Sequence, residues 1–401
     1  MSATRISTAQ LFEQGLATLQ AQYARFARTQ RQLATGQRIA TPSEDPAGMV
    51  AVLDAKEVIE RTAQLQDNIA VARRKLGMEE GALQTVVDVL QRARELGLRA
   101  GSGLLSPQDR EAMAVEVDEL LDDLVAAANT TDGSGEYIFA GYQVRSRPFA
   151  PAAGGGIAYA GDEGQRRLPV GPGFSIALGD SGTAVFRRIR NGNGTFVTGY
   201  GASNTGTGVI GPGTVDDPTA WVRDTYTITF TTATDWEVRD SASNLIASGS
   251  YTSGAAISFR GISVEITGTP AAGDTFTVAG SANQDMFTAL QELAAALRAD
   301  TSDAAATAKM QMDLGRALLD IDRALEHATD VRAEVGGRLN ALDQQERLNE
   351  DLLTLARQHL SEQQDLDYAE AISRFQRQLL AIEAAQRSFA RVGSLSLFQY
   401  L

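Results

Sequence analysis

The side chains able to do chemistry are few, and their spacing argues against most of it. No cysteine occurs among the 401 residues, which removes disulfides, thiolate metal sites and cysteine nucleophiles together. The two histidines, His327 and His359, fall in helical runs far apart in sequence. No H-E-x-x-H, P-loop or G-x-S-x-G elbow is present. Gly206-Thr207-Gly208-Val209-Ile210-Gly211 is formally G-x-G-x-x-G, but a dinucleotide fingerprint must follow a strand and open a helix. Pro212-Gly213 follows instead, so this reads as a flexible loop. Asn129-Thr130-Thr131 and Asn193-Gly194-Thr195 are glycosylation sequons in form only. Carboxylates are plentiful, and most fall on helix faces where solvation explains them. The residues therefore point to no enzyme, no catalytic residue, no cofactor and no metal site.

Charge narrows the partners. Thirty-six Lys and Arg stand against 50 Asp and Glu, a net charge of -14, whereas a nucleic-acid binder needs a basic face. No nucleic acid is expected. A membrane-spanning helix needs about 20 apolar residues; none such occurs, and no membrane partner is expected. Met1–Gln10 lacks the apolar run of a cleaved signal, so the chain either stays in the cytoplasm or leaves by a route that reads no such signal. With 43% hydrophobic residues the composition is that of a folded protein.

What the chain does carry is heptads. Leu65, Ile69, Ala72, Leu76, Leu83, Val86, Leu90, Ala93 and Gly97 recur at steps of three and four, with one position skipped. That is a narrow coiled-coil seam on a helix roughly 50 Å long at about 1.5 Å per residue. It needs a long partner, and Leu314, Leu318, Ile321, Leu325, Ala328, Val335, Leu339 and Leu342 supply one. The fold class expected is α+β: a long antiparallel coiled-coil shaft built from both termini, with a β-rich domain inserted in the middle. The expected divisions are an N-terminal assembly helix over 1–44 pairing with 365–401, shaft segments over 45–144 and 284–364, and the β-rich insertion over 145–283. Within the insertion Tyr226–Phe230, Ile262–Ile266 and Phe276–Val278 alternate with period two, and Asn191–Gly213 reads as a loop between two small β domains. Gly135–Tyr142 reads as a short strand. Gly336-Gly337, inside the second long helix, suggests close approach of a neighbouring helix or a local kink.

Short apolar seams mark the ends. Phe12, Leu16, Leu19, Tyr23, Phe26 and Leu33 form one; Ile372, Phe375, Leu379, Ile382, Phe389 and Val392 form the other. Such helices are marginal alone in water, so they are expected to be disordered in the monomer and to fold on packing between subunits. Between the first helix and the second, Gly36 suits a left-handed helix end, and Asp45-Pro46 reads as an N-cap with proline at the first helical position.

Leu33-Ala34-Thr35-Gly36-Gln37-Arg38-Ile39, followed by Ser43-Glu44-Asp45-Pro46-Ala47-Gly48, resembles the N-terminal signature of the bacterial flagellin family, L-S-T-G-x-R-I and then D-D-P-A-G, with Ala34 and Glu44 as mild departures. Gly36, Arg38, Asp45, Pro46 and Gly48 are its joint residues here. Asp365-Leu366-Asp367-Tyr368-Ala369-Glu370-Ala371-Ile372-Ser373 is similar to that family's C-terminal segment. Thr4–Thr8 and Gly135–Tyr142 resemble the hook-associated protein 3 branch of the family. The resemblance covers both arms and leaves the insertion without a match.

The resemblance implies a secreted structural protein of the bacterial flagellum, acting in motility: an adaptor at the hook–filament junction. Its implied partners are itself, hook-associated protein 1, flagellin and a flagellar export chaperone. Two alternatives stay open, a flagellin-type filament subunit and, more distantly, a surface adhesin whose Trp221 and Trp236 stack on glycans. Leu90–Leu96 also resembles a flagellin stretch recognised by innate immune receptors, against the plainer reading of a helix surface.

Overall fold

The computed structural model describes residues 8–102 and 105–394. The opening Thr4–Ser7, the C-terminal Leu395–Leu401 and the side chains of Phe12 and Val392 lie outside what is described. The chain divides into two compact units, a central one over Asn68–Gln344 and a terminal one over Met1–Asp67 with Gln345–Leu401. Among the described residues no helix is long and apolar enough to cross a membrane.

Among the described residues there are six α-helices: α1 (Thr8–Thr35), α2 (Pro46–Ala100), α3 (Pro107–Ala128), α4 (Met286–Arg298), α5 (Ala304–Gln364) and α6 (Tyr368–Ser394). Their starts are written in side chains. Asp45, Ser106, Asp285, Asp303 and Asp367 each accept a backbone N–H of the first turn they precede, satisfying donors that have no partner inside the helix.

In the central unit the α2 seam from Ile69 to Ala93 shares one core with Leu314, Ile321, Ala328, Val335 and Leu342 of α5. Ion pairs fix the direction. Arg73 meets Asp343, Glu80 meets Arg332 and Arg94 meets Asp322, so rising numbers on one helix oppose falling numbers on the other, and the pair is antiparallel. A Cβ on Gly97 would lie 2.6 Å from Leu318 Cδ2, so glycine sets the helix separation there. Helices α3 and α4 pack on each other, joined by Arg298 to Asp118 at 2.6 Å and to Glu111 at 3.2 Å.

The insertion has two parts. In the first, hairpins β1 (Phe149–Pro151) with β2 (Ile157–Tyr159) and β3 (Arg167–Gly171) with β4 (Phe174–Ala177) precede a π-helical turn, Thr183–Arg187, and β5 (Ile189–Arg190). Phe149 and Phe186 pack against Phe287 of α4, with ring centroids 5.2 and 5.8 Å away, which makes this part an extension of the helical core. The second part is an antiparallel sandwich. It comprises β6 (Phe196–Tyr200), β7 (Val209–Ile210), β8 (Thr214–Val215), β9 (Thr225–Phe230), β10 (Asp235–Arg239), β11 (Leu245–Ser250), β12 (Ala256–Phe259), β13 (Ile262–Thr267) and β14 (Thr275–Gly280). One sheet runs β11-β10-β9-β14-β6 and the other β12-β13-β7, with β8 also on β13. The period-two runs bury alternate residues: Tyr226, Ile228 and Phe230 face Ile262, Val264 and Ile266 across an apolar core. β15 (Asn283–Gln284) pairs with β5 where the chain leaves the sandwich.

Three local expectations are corrected. Gly135–Tyr142 is a series of turns: Gly135 and Gly141 have φ of +80° and +70°, and the turns deliver Phe139 into the core. The stretch Asn191–Gly213 is not merely a loop between domains, since β6 and β7 lie in it and Ile210 pairs with Ile266; the G-x-G-x-x-G run is thereby part of a sheet. Gly336 and Gly337 have nothing within 4 Å of an added Cβ, so no neighbouring helix explains them.

Candidate subunit-packing surface

In the terminal unit α1 and α6 lie side by side. Phe26 stacks on Phe375 with centroids 4.7 Å apart, Gln386 Nε2 donates to Tyr23 Oη, and the Phe389 ring lies 3.1 Å from where a Gly15 Cβ would stand. The structure thus brings these seam residues together within one chain, but it does not close a core over them. Ile382 is buried, and Leu19, Phe26, Leu33, Phe375 and Phe389 are half-buried. Leu16, Tyr23, Ile372 and Leu379 stay 41–48% exposed. A two-helix pair has one seam and two open flanks, which is the geometry seen.

The joint residues hold two chain reversals against each other. Gly36 ends α1 at φ +71°, and a Cβ there would lie 2.8 Å from Tyr368 Oη. Its carbonyl accepts Leu366 N–H at 2.9 Å, and Arg38 N–H donates to the Gln364 carbonyl at 2.7 Å. The Arg38 guanidinium donates to the Gln363 carbonyl at 2.7 Å and sits 3.9 Å from Asp45. Gly48 is buried; a Cβ would stand 2.5 Å from Ile39 Cδ1. Pro46 opens α2, where a missing N–H costs nothing. Each signature residue therefore has a steric or hydrogen-bonding reason to be what it is. Beside the joint lies a cleft of about 760 Å³ with Arg25, Arg28, Arg38 and Arg374 facing Glu44, Asp367 and Glu370. Ion pairs such as Arg28–Glu44 at 3.3 Å and Arg374–Glu370 at 2.6 Å occupy its charges.

The sequence reading missed a second apolar surface. Val50 and Leu53 of α2, Leu348 and Leu355 of α5, and Leu380 of α6 are 58–66% exposed. Leu348, Leu352 and Leu355 follow a helical i, i+4, i+7 spacing off the seam, and that second stripe was the available signal. Elsewhere the candidates for chemistry are spent on structure. His327 Nε2 is 2.8 Å from the Ala184 carbonyl, His359 is exposed, and no metal-holding cluster occurs among the described residues. Trp221 packs on Phe196 and Tyr226 and Trp236 covers Gly249, so both rings serve the sandwich. In Leu90–Leu96 the leucines and Ala93 are buried, while Arg92 pairs with Glu95 and Glu116.

Comparison with known proteins places these features in a family. Residues 6–144 match the bacterial flagellin N-terminal helical region, and residues 200–280 match a D2-like domain of flagellar hook-associated protein 1. The chain is 34% identical over 190 residues to flagellar hook-associated protein 3 of Salmonella typhimurium, a match spanning 46% of this chain and 57% of that protein. To its Escherichia coli counterpart it is 25% identical across 98% of this chain and 99% of that one. The crystal structure of the flagellar junction protein FlgL from Legionella pneumophila superposes with a TM-score of 0.73 at 31% identity, covering 79% of this chain and all of that one.

Proposed function

Because the chain belongs to the flagellar hook-associated protein 3 (FlgL) family, a family of structural proteins of the flagellum, we propose that it is the junction adaptor between the hook-associated zone and the flagellin filament. The observation that carries the mechanism is the terminal unit: helices too thin to bury their own apolar side chains, held at a fixed joint and presenting Leu16, Ile372, Leu379 and Leu380 outward. Burying a leucine is worth about 1.5–3 kcal/mol, so packing against neighbouring subunits stabilises what the isolated unit leaves wet. Copies stack through these helices, one axial face meeting hook-associated protein 1 and the other flagellin, a heterologous contact that builds layers. Phe12, Leu16, Leu19, Tyr23, Phe26 and Leu33, with Ile372, Phe375, Leu379, Ile382, Phe389 and Val392, are the packing residues proposed. In the free monomer these ends are loosely folded, which suits passage through a narrow export channel with a chaperone, and the protein acts outside the cell.

The insertion's likeness to a D2-like domain of hook-associated protein 1 supports the junction over the filament subunit. The test is layered addition. Purified protein should add a limited layer to hooks bearing hook-associated protein 1 and stay soluble with flagellin seeds; sedimentable mass that keeps growing on those seeds would instead make it a filament subunit.

A further inference from the structure

Two carboxyls that subunit packing does not use are buried on the long helices of the central unit. Glu79 of α2 is 1% exposed and Asp320 of α5 is 3% exposed. Each accepts one backbone N–H from the insertion: Asp180 N–H reaches Glu79 Oε1 at 2.9 Å, and Gly192 N–H reaches Asp320 Oδ1 at 2.7 Å. In each the other oxygen, Glu79 Oε2 or Asp320 Oδ2, is buried without a hydrogen-bond partner on the protein. A carboxylate in that position is costly, and a neutral carboxylic acid is far less so.

The surrounding charges agree. Glu79 faces Asp180 and Arg338. Arg338 gives both its terminal nitrogens to Asp180 at 2.8 and 2.9 Å and lies 3.6 Å from Glu334, and Gln165 also donates to Asp180. The Arg338 guanidinium thus confronts the buried Glu79 and the half-buried Asp180, and with the exposed Glu334 left to solvent this trio is neutral when one of the two holds a proton. Burial, with Asp180 adding to it, pushes Glu79 up to about 8. The neighbouring charges on α2 are engaged elsewhere, Lys75 with Asp132 and Glu136, and Glu80 with Arg332. Asp320 faces Glu292 of α4 and Arg316 of α5, and Arg323 stands three residues further along α5. Arg316 is held by Asp313, and Arg323 by Glu326 and the Asn193 carbonyl. Burial raises Asp320 to about 6.

We propose that Glu79 and Asp320 are proton-held latches that fasten the insertion to α2, at Asp180, and to α5, at Gly192, and that their grip weakens in steps as pH rises. When a latch opens, its carboxyl meets water and returns to its ordinary value, 4.5 for Glu79 and 3.8 for Asp320. The closed state therefore holds one more proton than the open state between 4.5 and about 8 at Glu79, and between 3.8 and about 6 at Asp320. Local opening grows about tenfold per pH unit inside each window and is level above it.

Amide hydrogen exchange on the full chain tests this, read at the Asp180 and Gly192 amides after correction for intrinsic exchange. Wild type should show extra opening through both windows, Glu79→Gln should abolish it at Asp180 alone, and Asp320→Asn at Gly192 alone. Extra opening that survives the matching variant, or is absent in wild type, overturns the proposal. Should either variant fail to fold, infrared spectroscopy of the wild type decides: one buried protonated carboxylic acid must vanish near pH 6 and a second near pH 8, and the absence of either band refutes the corresponding latch.

Discussion

The terminal unit, with α1, α6 and segments of α2 and α5, and the central unit, with the rest of those two long helices, differ in what they leave on their surfaces. The central unit holds 23 Lys and Arg against 35 Asp and Glu, whereas the terminal unit holds 13 against 15. Nearly all the net negative charge is therefore central. Apolar exposure runs the other way. Of 18 large apolar side chains exposed among the described residues, 11 belong to the terminal unit, though it is less than half as long. Helices α3 and α4 and the insertion cover the flanks of the central pair, and the terminal pair has no such cover within its unit. A strongly acidic surface keeps neighbours apart, and a nearly neutral apolar one lets them pack. On the proposed function this contrast is a division of labour, with the central unit stable by itself and the terminal unit completed by other subunits.

The sharpest way to break that comparison is to change the terminal surface alone. Leu355→Ser with Leu380→Ser should leave monomer melting within about 0.5 kcal/mol yet cost about 3 kcal/mol or more in subunit packing, a loss of a hundredfold or more in addition to hooks. The mirror experiment cuts the central core. Leu83→Ala, at a fully buried seam position, should lower monomer stability by about 3 kcal/mol, measured by urea unfolding. Gly97→Val, which drives side-chain atoms into Leu318 and Leu293, should cost about 2 kcal/mol.

Acid titration sharpens the account of the central unit further. Ser134, Lys75 and the Glu136 and Ser134 N–H groups hold Asp132 well below the usual carboxylate range, and Arg166 and Lys75 hold Glu136 below it. Carboxyls depressed in the folded state add stability above their unfolded values and lose it as pH falls. The melting-temperature gap between wild type and Lys75→Met should therefore begin to narrow below pH 4.5 and 3.8 and close as pH falls through the lower folded-state values of Glu136 and Asp132. The smallest effects are gains: Gly336→Ala and Gly337→Ala, with open space around them, should each stabilise the helix by about 1 kcal/mol. A loss at either would show that the glycine serves something beyond the single chain.

Heptad spacing made the central seam legible, since a 3.5-residue period admits one partner geometry; the seam from Ile69 to Ala93 and its α5 counterpart are buried as their spacing implies. The skipped positions were informative as well. Stepping on from Leu76 puts Glu79 in the seam, and stepping on from Ala328 puts Arg332 there, so a polar residue at a seam position was a signal for the latch and for the Glu80–Arg332 pair. Asp320 carried no such signal, because its burial comes from the Gly192 turn, more than a hundred residues away. Val50, Leu53, Leu348 and Leu355 escaped because a seam-only reading assigns the rest of a helix to solvent. The pairing of β7 was hidden by glycines, which look alike in a loop and in a short strand that other backbones approach closely.

The central claim is that assembly resides in the terminal surface. It is tested most directly by measuring the amount of protein retained on hooks bearing hook-associated protein 1 for two matched variants. One carries Leu355→Ser and Leu380→Ser in the terminal unit; the other carries Val222→Ser and Leu245→Ser, both also exposed, in the central unit. The account predicts wild-type retention for the central variant and near-complete loss for the terminal one. Equal retention of the two variants, or loss confined to the central one, would contradict it.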